Sequence, residues 1–203
     1  MKLYVDDAVS PGCSMTRAIA DLTGQKLEVV PVAADFKKSK EWKDMNILDQ
    51  MPILATSEGT LQDHTAICKY LCSLKGSHLG KNATERSQVD QWISFRNCNL
   101  VKTCQIINDG VFGTGSVKEA DFKTANSDLK NHLRVINTGL EGKKWLVGDD
   151  VTVADVVLSL TLKFAFQTVV DAGQRKAPVM KNVSAWAETC YALPAIKKIC
   201  GNV

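Results

Sequence analysis

Strand-forming runs are confined to the first third of this chain, and beyond a polar, glycine-bearing stretch at residues 75–84 only helical spacing recurs. A sequence divided in this way can bury its apolar faces in few arrangements. It predicts a small mixed α/β layer over residues 1–76, a linker, and an all-helical domain over residues 84–203. In the first part Leu3-Tyr4-Val5 is a short strand, Pro11-Gly12 breaks the chain, and Met15, Ala18, Ile19 and Leu22 fall at helical spacing up to a stop at Gly24. Leu27 to Val32 is rich in β-branched residues and is expected to be a second strand. A charged, weakly patterned stretch from Lys37 to Asp49 precedes a hairpin of Ile53-Leu54-Ala55, the turn Ser57-Glu58-Gly59, and Leu61. Asp63 then caps a helix with Ile67, Tyr70, Leu71 and Leu74 on one face, closed by Gly76. The expected order is β-α-β-α-β-β-α.

In the second part Val89, Trp92, Ile93, Leu100, Cys104 and Ile107 follow one stripe of a long helix, which Gly110 to Gly115 interrupts. Another helix is expected from Val117 to Leu140, with Phe122, Leu129, Leu133 and Ile136 inward and Gly139 and Gly142 at its close. Thr152-Val153-Ala154-Asp155 fits a capping box, with Val151 and Val156 as its staple. The helix after it, to Val170, is apolar almost all round and is expected to be buried on every side. Shorter helices at Val183 to Tyr191 and after Pro194 finish the chain.

Composition narrows the function classes. A chain of 203 residues, 45% hydrophobic and 23% charged, can bury a core without disulfides or a structural metal. Twenty-five Lys+Arg against 22 Asp+Glu leave +3 without a dense basic cluster, which argues against direct nucleic-acid binding. Trp42, Trp92, Trp145 and Trp186 are scattered, as packing residues are, and do not form a stacking platform. Seven cysteines, at 13, 68, 72, 98, 104, 190 and 200, form no C-x-x-C pair and fit the reduced thiols of a cytoplasmic protein. The opening Met1 to Asp7 is acidic where a signal peptide would be apolar, and no apolar run approaches a membrane span, so no membrane association is expected. His78 and His132 lack acid or thiol neighbours at ligand spacing, and buried helix positions explain Cys68 and Cys72 better than a metal does.

Met51-Pro52 before the third strand, Asp63 to Tyr70 opening the next helix, and Thr152 to Asp155 stand in a specific order. On these features the whole chain resembles the glutathione transferase superfamily. That resemblance implies a thioredoxin-like amino-terminal domain, with a cis bond before Pro52, followed by a helical carboxy-terminal domain. Within the superfamily, the runs Gln88 to Phe95, Trp145 to Asp155, Asn182 to Trp186 and Ile199 to Val203 look like the transferase-like domain of elongation factor 1B gamma. Met1 to Val5, Pro11-Gly12-Cys13 and Thr65 to Tyr70 look like the domain appended to methionyl-tRNA synthetase. Pro11-Gly12-Cys13-Ser14 is also similar to the opening of bacterial beta-class transferases.

The resemblance implies a homodimeric scaffold that needs no cofactor, in which residues 64–75 of one copy pack on residues 88–104 of the other. Elongation factor 1B exchange subunits or aminoacyl-tRNA synthetases are its implied partners, and the parent protein is expected to continue past Val203. The alternative is an active glutathione transferase. There Cys13, with Ser10 and Ser14 as substitutes, stabilises the glutathione thiolate at a helix amino terminus, which lowers a thiol pKa. Met51 pairs its backbone with the cysteinyl part of glutathione as an added strand would, and Pro52 turns the chain. Asp63 and His64 face the γ-glutamyl group. His64, however, stands where the family keeps a small serine, and Asp49 stands near the glycyl carboxylate where many relatives carry Gly or Lys. Lys37, Lys38 and Lys40 are available to screen that charge or are simply a solvated face. Asp63 serves equally well as a plain N-cap.

Overall fold

The computed structural model describes residues 1–6 and 10–201, with Cys200 described through its backbone. Asp7 of the acidic opening and Asn202-Val203 of the closing run lie outside the described residues. The chain forms two compact units, Met1–Leu79 with the described part of Pro194–Val203, and Gly80–Leu193.

The first unit is built on a four-stranded sheet in the order β2-β1-β3-β4. Strand β1 (Lys2–Val5) pairs in parallel with β2 (Glu28–Pro31), and the two are joined by α1 (Pro11–Thr23), the crossover that parallel strands require. Ser10 caps α1 by accepting from the Cys13 amide at 3.3 Å, and Gly24 closes it in the left-handed conformation. Strands β3 (Ile53–Ala55) and β4 (Thr60–Gln62) form the expected antiparallel hairpin, with β3 also antiparallel to β1.

The weakly patterned stretch resolves into two short helices, α2 (Ala34–Lys38) and α3 (Lys40–Met45), so the observed order contains one more helix than expected. Only Trp42 of the two helices is buried, which is why no periodicity marks them. Ser39 caps α3 through the Trp42 amide at 3.0 Å, and Tyr4, Phe36 and Trp42 hold both helices in an aromatic cluster with centroids 5.6–6.2 Å apart. Helix α4 (His64–Lys75) packs on α1 through Ile67, Cys68, Leu71 and Cys72. Leu74, expected on that buried face, is 50% exposed. The final helix, α11 (Pro194–Cys200), also packs on α1, and Lys198 pairs with Asp21 there.

The second unit is helical throughout its regular structure. Helix α5 (Ala83–Phe95) continues through a π-turn at Arg96–Leu100 into α6 (Val101–Phe112), followed by α7 (Glu119–Gly139), α8 (Val153–Val169), α9 (Ala172–Lys176), a 3₁₀ turn and α10 (Lys181–Tyr191). Helix α6 runs through Gly110 and stops at Gly113. A Cβ at Gly110 would lie 2.4 Å from the Phe122 ring, so this glycine marks a close helix approach, and the interruption expected over Gly110 to Gly115 begins at Gly113. Helix α7 begins at Glu119, two residues later than expected.

Helix α8 is buried from Val153 to Leu160, but Lys163 and Phe164 are half-exposed, so burial on every side holds for its first half only. Its capping box is present, and Asp155 does more than close it. The carboxylate accepts from the Thr152 amide and hydroxyl at 2.8 Å each, from the Leu146 amide at 2.9 Å and from the Trp186 indole at 2.9 Å. One side chain thus ties the 145–152 loop, α8 and α10 together. Helix α10 has no cap of its own; Asn137 of α7 supplies one, accepting from the amides of Asn182 and Val183. Among the described residues no helix is long and apolar enough to cross a membrane.

Candidate functional site

Within the first unit the fold brings together the start of α1, the loop before β3 and the start of α4. Their meeting point is Gly12. A Cβ built there would lie 3.1 Å from Cδ of Pro52 and 3.3 Å from Cβ and Cγ of His64. Ser10 to Ser14, Met51-Pro52 and Asp63-His64 therefore share one corner, as the sequence resemblance implies. Gly12 itself is read from sequence only as a chain breaker, yet it sets how closely the three segments approach.

Cys13 places its side chain in the core and is fully buried. It lies on the same helical line as Thr16, Ala20 and Thr23, all buried, and that spacing is the sequence signal for an inward thiol. Ser10 is half-buried and engaged as the α1 cap, and Ser14 is half-buried. Met51 is half-buried, and its bond to Pro52 is cis. Asp63 has φ of 69° and accepts from the Ala66 amide at 2.9 Å, so it acts as the N-cap of α4. Its second oxygen lies 4.0 Å from Nδ1 of His64, whose side chain is 23% exposed. An imidazole thus stands in the first turn of α4, with its Cβ and Cγ beside Gly12.

The loop ahead of the cis bond is held by residues that sequence reading does not single out. Gln62 accepts from the Leu48 amide at 2.8 Å and donates to the Met45 carbonyl at 2.9 Å, while Asn46 accepts from the Gln50 amide at 3.0 Å. Asp49 adopts a positive φ of 49° within this loop. The lysines available to offset its charge have acids of their own: Lys37 pairs with Asp6, Lys38 with Asp35, and Lys40 with Asp44. Such exposed pairs add little stability, but they lower the net positive potential nearby.

Three of the other thiols, Cys72, Cys104 and Cys190, are poor reactants. Burial pushes Cys72 and Cys104 up to about 12 and raises Cys190 well above the usual thiol value. Cys68 is buried and Cys98 is exposed on the α5–α6 rod. Among the described residues no group of three His, Cys, Asp or Glu side chains could hold a metal ion. The corner holds the cis bond before Pro52 and the N-cap of α4, and its thiol, Cys13, is buried.

Two family models match the chain: glutathione S-transferase, N-terminal domain, over residues 4–73, and glutathione S-transferase, C-terminal domain, over residues 98–194. Elongation factor 1-gamma of Prunus avium is 28% identical over 196 residues, covering 93% of this chain and 45% of that protein. A glutathione S-transferase-like protein of Fusarium is 27% identical over 190 residues, covering 91% of this chain and 85% of that one. The chain thus spans about half the length of its elongation-factor relative. Among solved structures, glutathione S-transferase I from maize in complex with an atrazine glutathione conjugate superposes with a TM-score of 0.84 at 25% identity, over 98% of this chain and 95% of that one. With both domain models matched in order and the fold shared over nearly its whole length, the chain belongs to the glutathione S-transferase superfamily.

Proposed function

We propose that this chain is a dimerising interaction module of translation assemblies, acting as the transferase-like domain of elongation factor 1B gamma does. The observation that carries the reading is the corner around Gly12. Cys13 points into the core, and His64 puts an imidazole, its Cβ and Cγ beside Gly12, where the family keeps a small serine. Similarity to an elongation factor 1-gamma over 93% of the chain supports the same reading. The module works without a cofactor. It forms a homodimer through residues 64–75 and 88–104, and it holds elongation factor 1B exchange subunits or an aminoacyl-tRNA synthetase.

A second reading, an active glutathione transferase, draws on the half-buried Ser14 in the first turn of α1 and on the cis bond before Pro52. In it Ser14, rather than Cys13, steadies the thiolate, Met51 and Asp63 hold glutathione, and the substrate is an electrophile.

Purified protein passed over immobilised glutathione and assayed with a chlorodinitrobenzene electrophile separates the two. The scaffold reading expects neither retention nor turnover, and it expects capture of exchange-factor or synthetase subunits from cytosol. Retention with turnover that disappears in Ser14→Ala or Cys13→Ala would overturn it.

A further inference from the structure

Strand β2 is an edge of the sheet, bonded to β1 on one side only. Glu28 donates to the Met1 carbonyl at 3.0 Å and Val32 to the Val5 carbonyl at 2.9 Å, so the even-numbered residues serve that parallel ladder. Backbone groups alternate sides along a strand, and those of Val29 and Pro31 therefore turn outward. Pro31 has no N–H, which leaves the Val29 amide as the one outward donor of β2, beside two outward carbonyls.

A groove of about 560 Å³ borders this edge within the first unit. That volume is in the range of clefts that take small ligands, about 300–1,000 Å³. Ala20 of α1, Leu27 and Val29 at β2, and Ile199 of α11 supply its apolar lining. Arg17, Lys26 and Lys198 are the cations that line it and Asp21 is the carboxylate, so positive charge is in excess. Lys198 is held by Asp21, while Lys26 stands exposed beside Leu27. A second copy pairing here edge to edge would bring the same excess of positive charge against it, which disfavours self-pairing. An acidic strand meets no such penalty.

We infer that β2 and this groove form a docking site for an extended acidic peptide of another protein. The peptide adds to β2 as a fifth strand, taking the Val29 amide and the outward carbonyls, and lays alternate acidic and apolar side chains into the groove. This surface goes beyond the dimer reading above. It lies at the opposite edge of the sheet from β4, and it does not depend on whether the corner around Gly12 binds a tripeptide.

Fluorescence anisotropy of the full chain tests the site with an amidated, fluorescein-labelled heptapeptide. The probe carries glutamate, valine and glutamate at alternate positions, with threonine elsewhere. It should bind saturably below about 1 mM, and its lysine-for-glutamate counterpart should bind at least about tenfold more weakly. Lys26→Glu should raise the Kd about tenfold by reversing a charge, and Val29→Pro should do as much by deleting the outward amide while sparing the ladder to β1. Circular dichroism checks that each variant is folded; if Val29→Pro is not, Lys26→Glu and the lysine peptide still decide. No saturable binding, equal binding of the two peptides, or binding that a folded Val29→Pro leaves unchanged would overturn the site. Peptide binding that weakens as protein concentration rises would show a second copy taking the edge, and would overturn the acidic peptide as its occupant.

Discussion

Asp155 is fully buried, yet three residues reach its carboxylate with four hydrogen bonds. Burial pushes its carboxyl above the usual carboxylate range, and those donors pull the other way. Its value lies in what its loss would leave behind: the Leu146 and Thr152 amides and the Trp186 indole would be buried without acceptors. Asp155→Ala should therefore cost about 4 kcal/mol, read as a lower urea midpoint. Asp155→Asn should cost less, since its carbonyl can still serve Leu146 and Trp186 while its amide faces the Thr152 N–H. His132 makes a separate, pH-dependent contribution. Burial against Phe95 lowers its pKa, only partly countered by Asp128, so the folded chain holds the imidazole neutral where the unfolded chain protonates it. Between the folded value and the unfolded value of about 6.5, the unfolded state binds more protons, and stability rises with pH. Urea midpoints measured from pH 5 to 7 should show that rise, and His132→Gln should flatten it.

Helical glycines in this chain mark contacts that propensity hides. Gly139 lies in α7 where a Cβ would stand 2.6 Å from the Trp92 ring, so the helix surrenders propensity to seat the half-buried indole. Gly139→Ala gains about 1 kcal/mol of helix propensity but should still destabilise the chain by about 1–2 kcal/mol net, because the ring has to move. Calorimetric melting checks the sign. Sequence periodicity makes α1, α4, α5–α6, α7 and α8 legible because each buries a continuous stripe. It resolves only one helix where α2 and α3 stand, because their residues other than Trp42 stay outside the core, and it misses the π-turn, which leaves no compositional trace. Gln62 escapes for another reason. Its two hydrogen bonds span 14 and 17 residues, and no local pattern announces a contact that distant.

The two-unit architecture was legible in the order of Met51-Pro52, Asp63 and Thr152 to Asp155, because each motif fixes a local geometry the fold needs: a turn, a cap and a helix start. The same motifs say little about chemistry, since a transferase fold keeps them whether or not it binds a tripeptide. Chemistry depends on which way single side chains point. Cys13 inward and His64 against Gly12 are packing outcomes, set jointly by α1, the cis-proline loop and α4. The central proposal is that this corner keeps the fold of a glutathione site without binding its ligand. Titration calorimetry of reduced glutathione into the purified chain tests that claim most directly. The account predicts binding no tighter than about 1 mM, with no saturable heat below it; a micromolar isotherm that Asp63→Ala abolishes would contradict it.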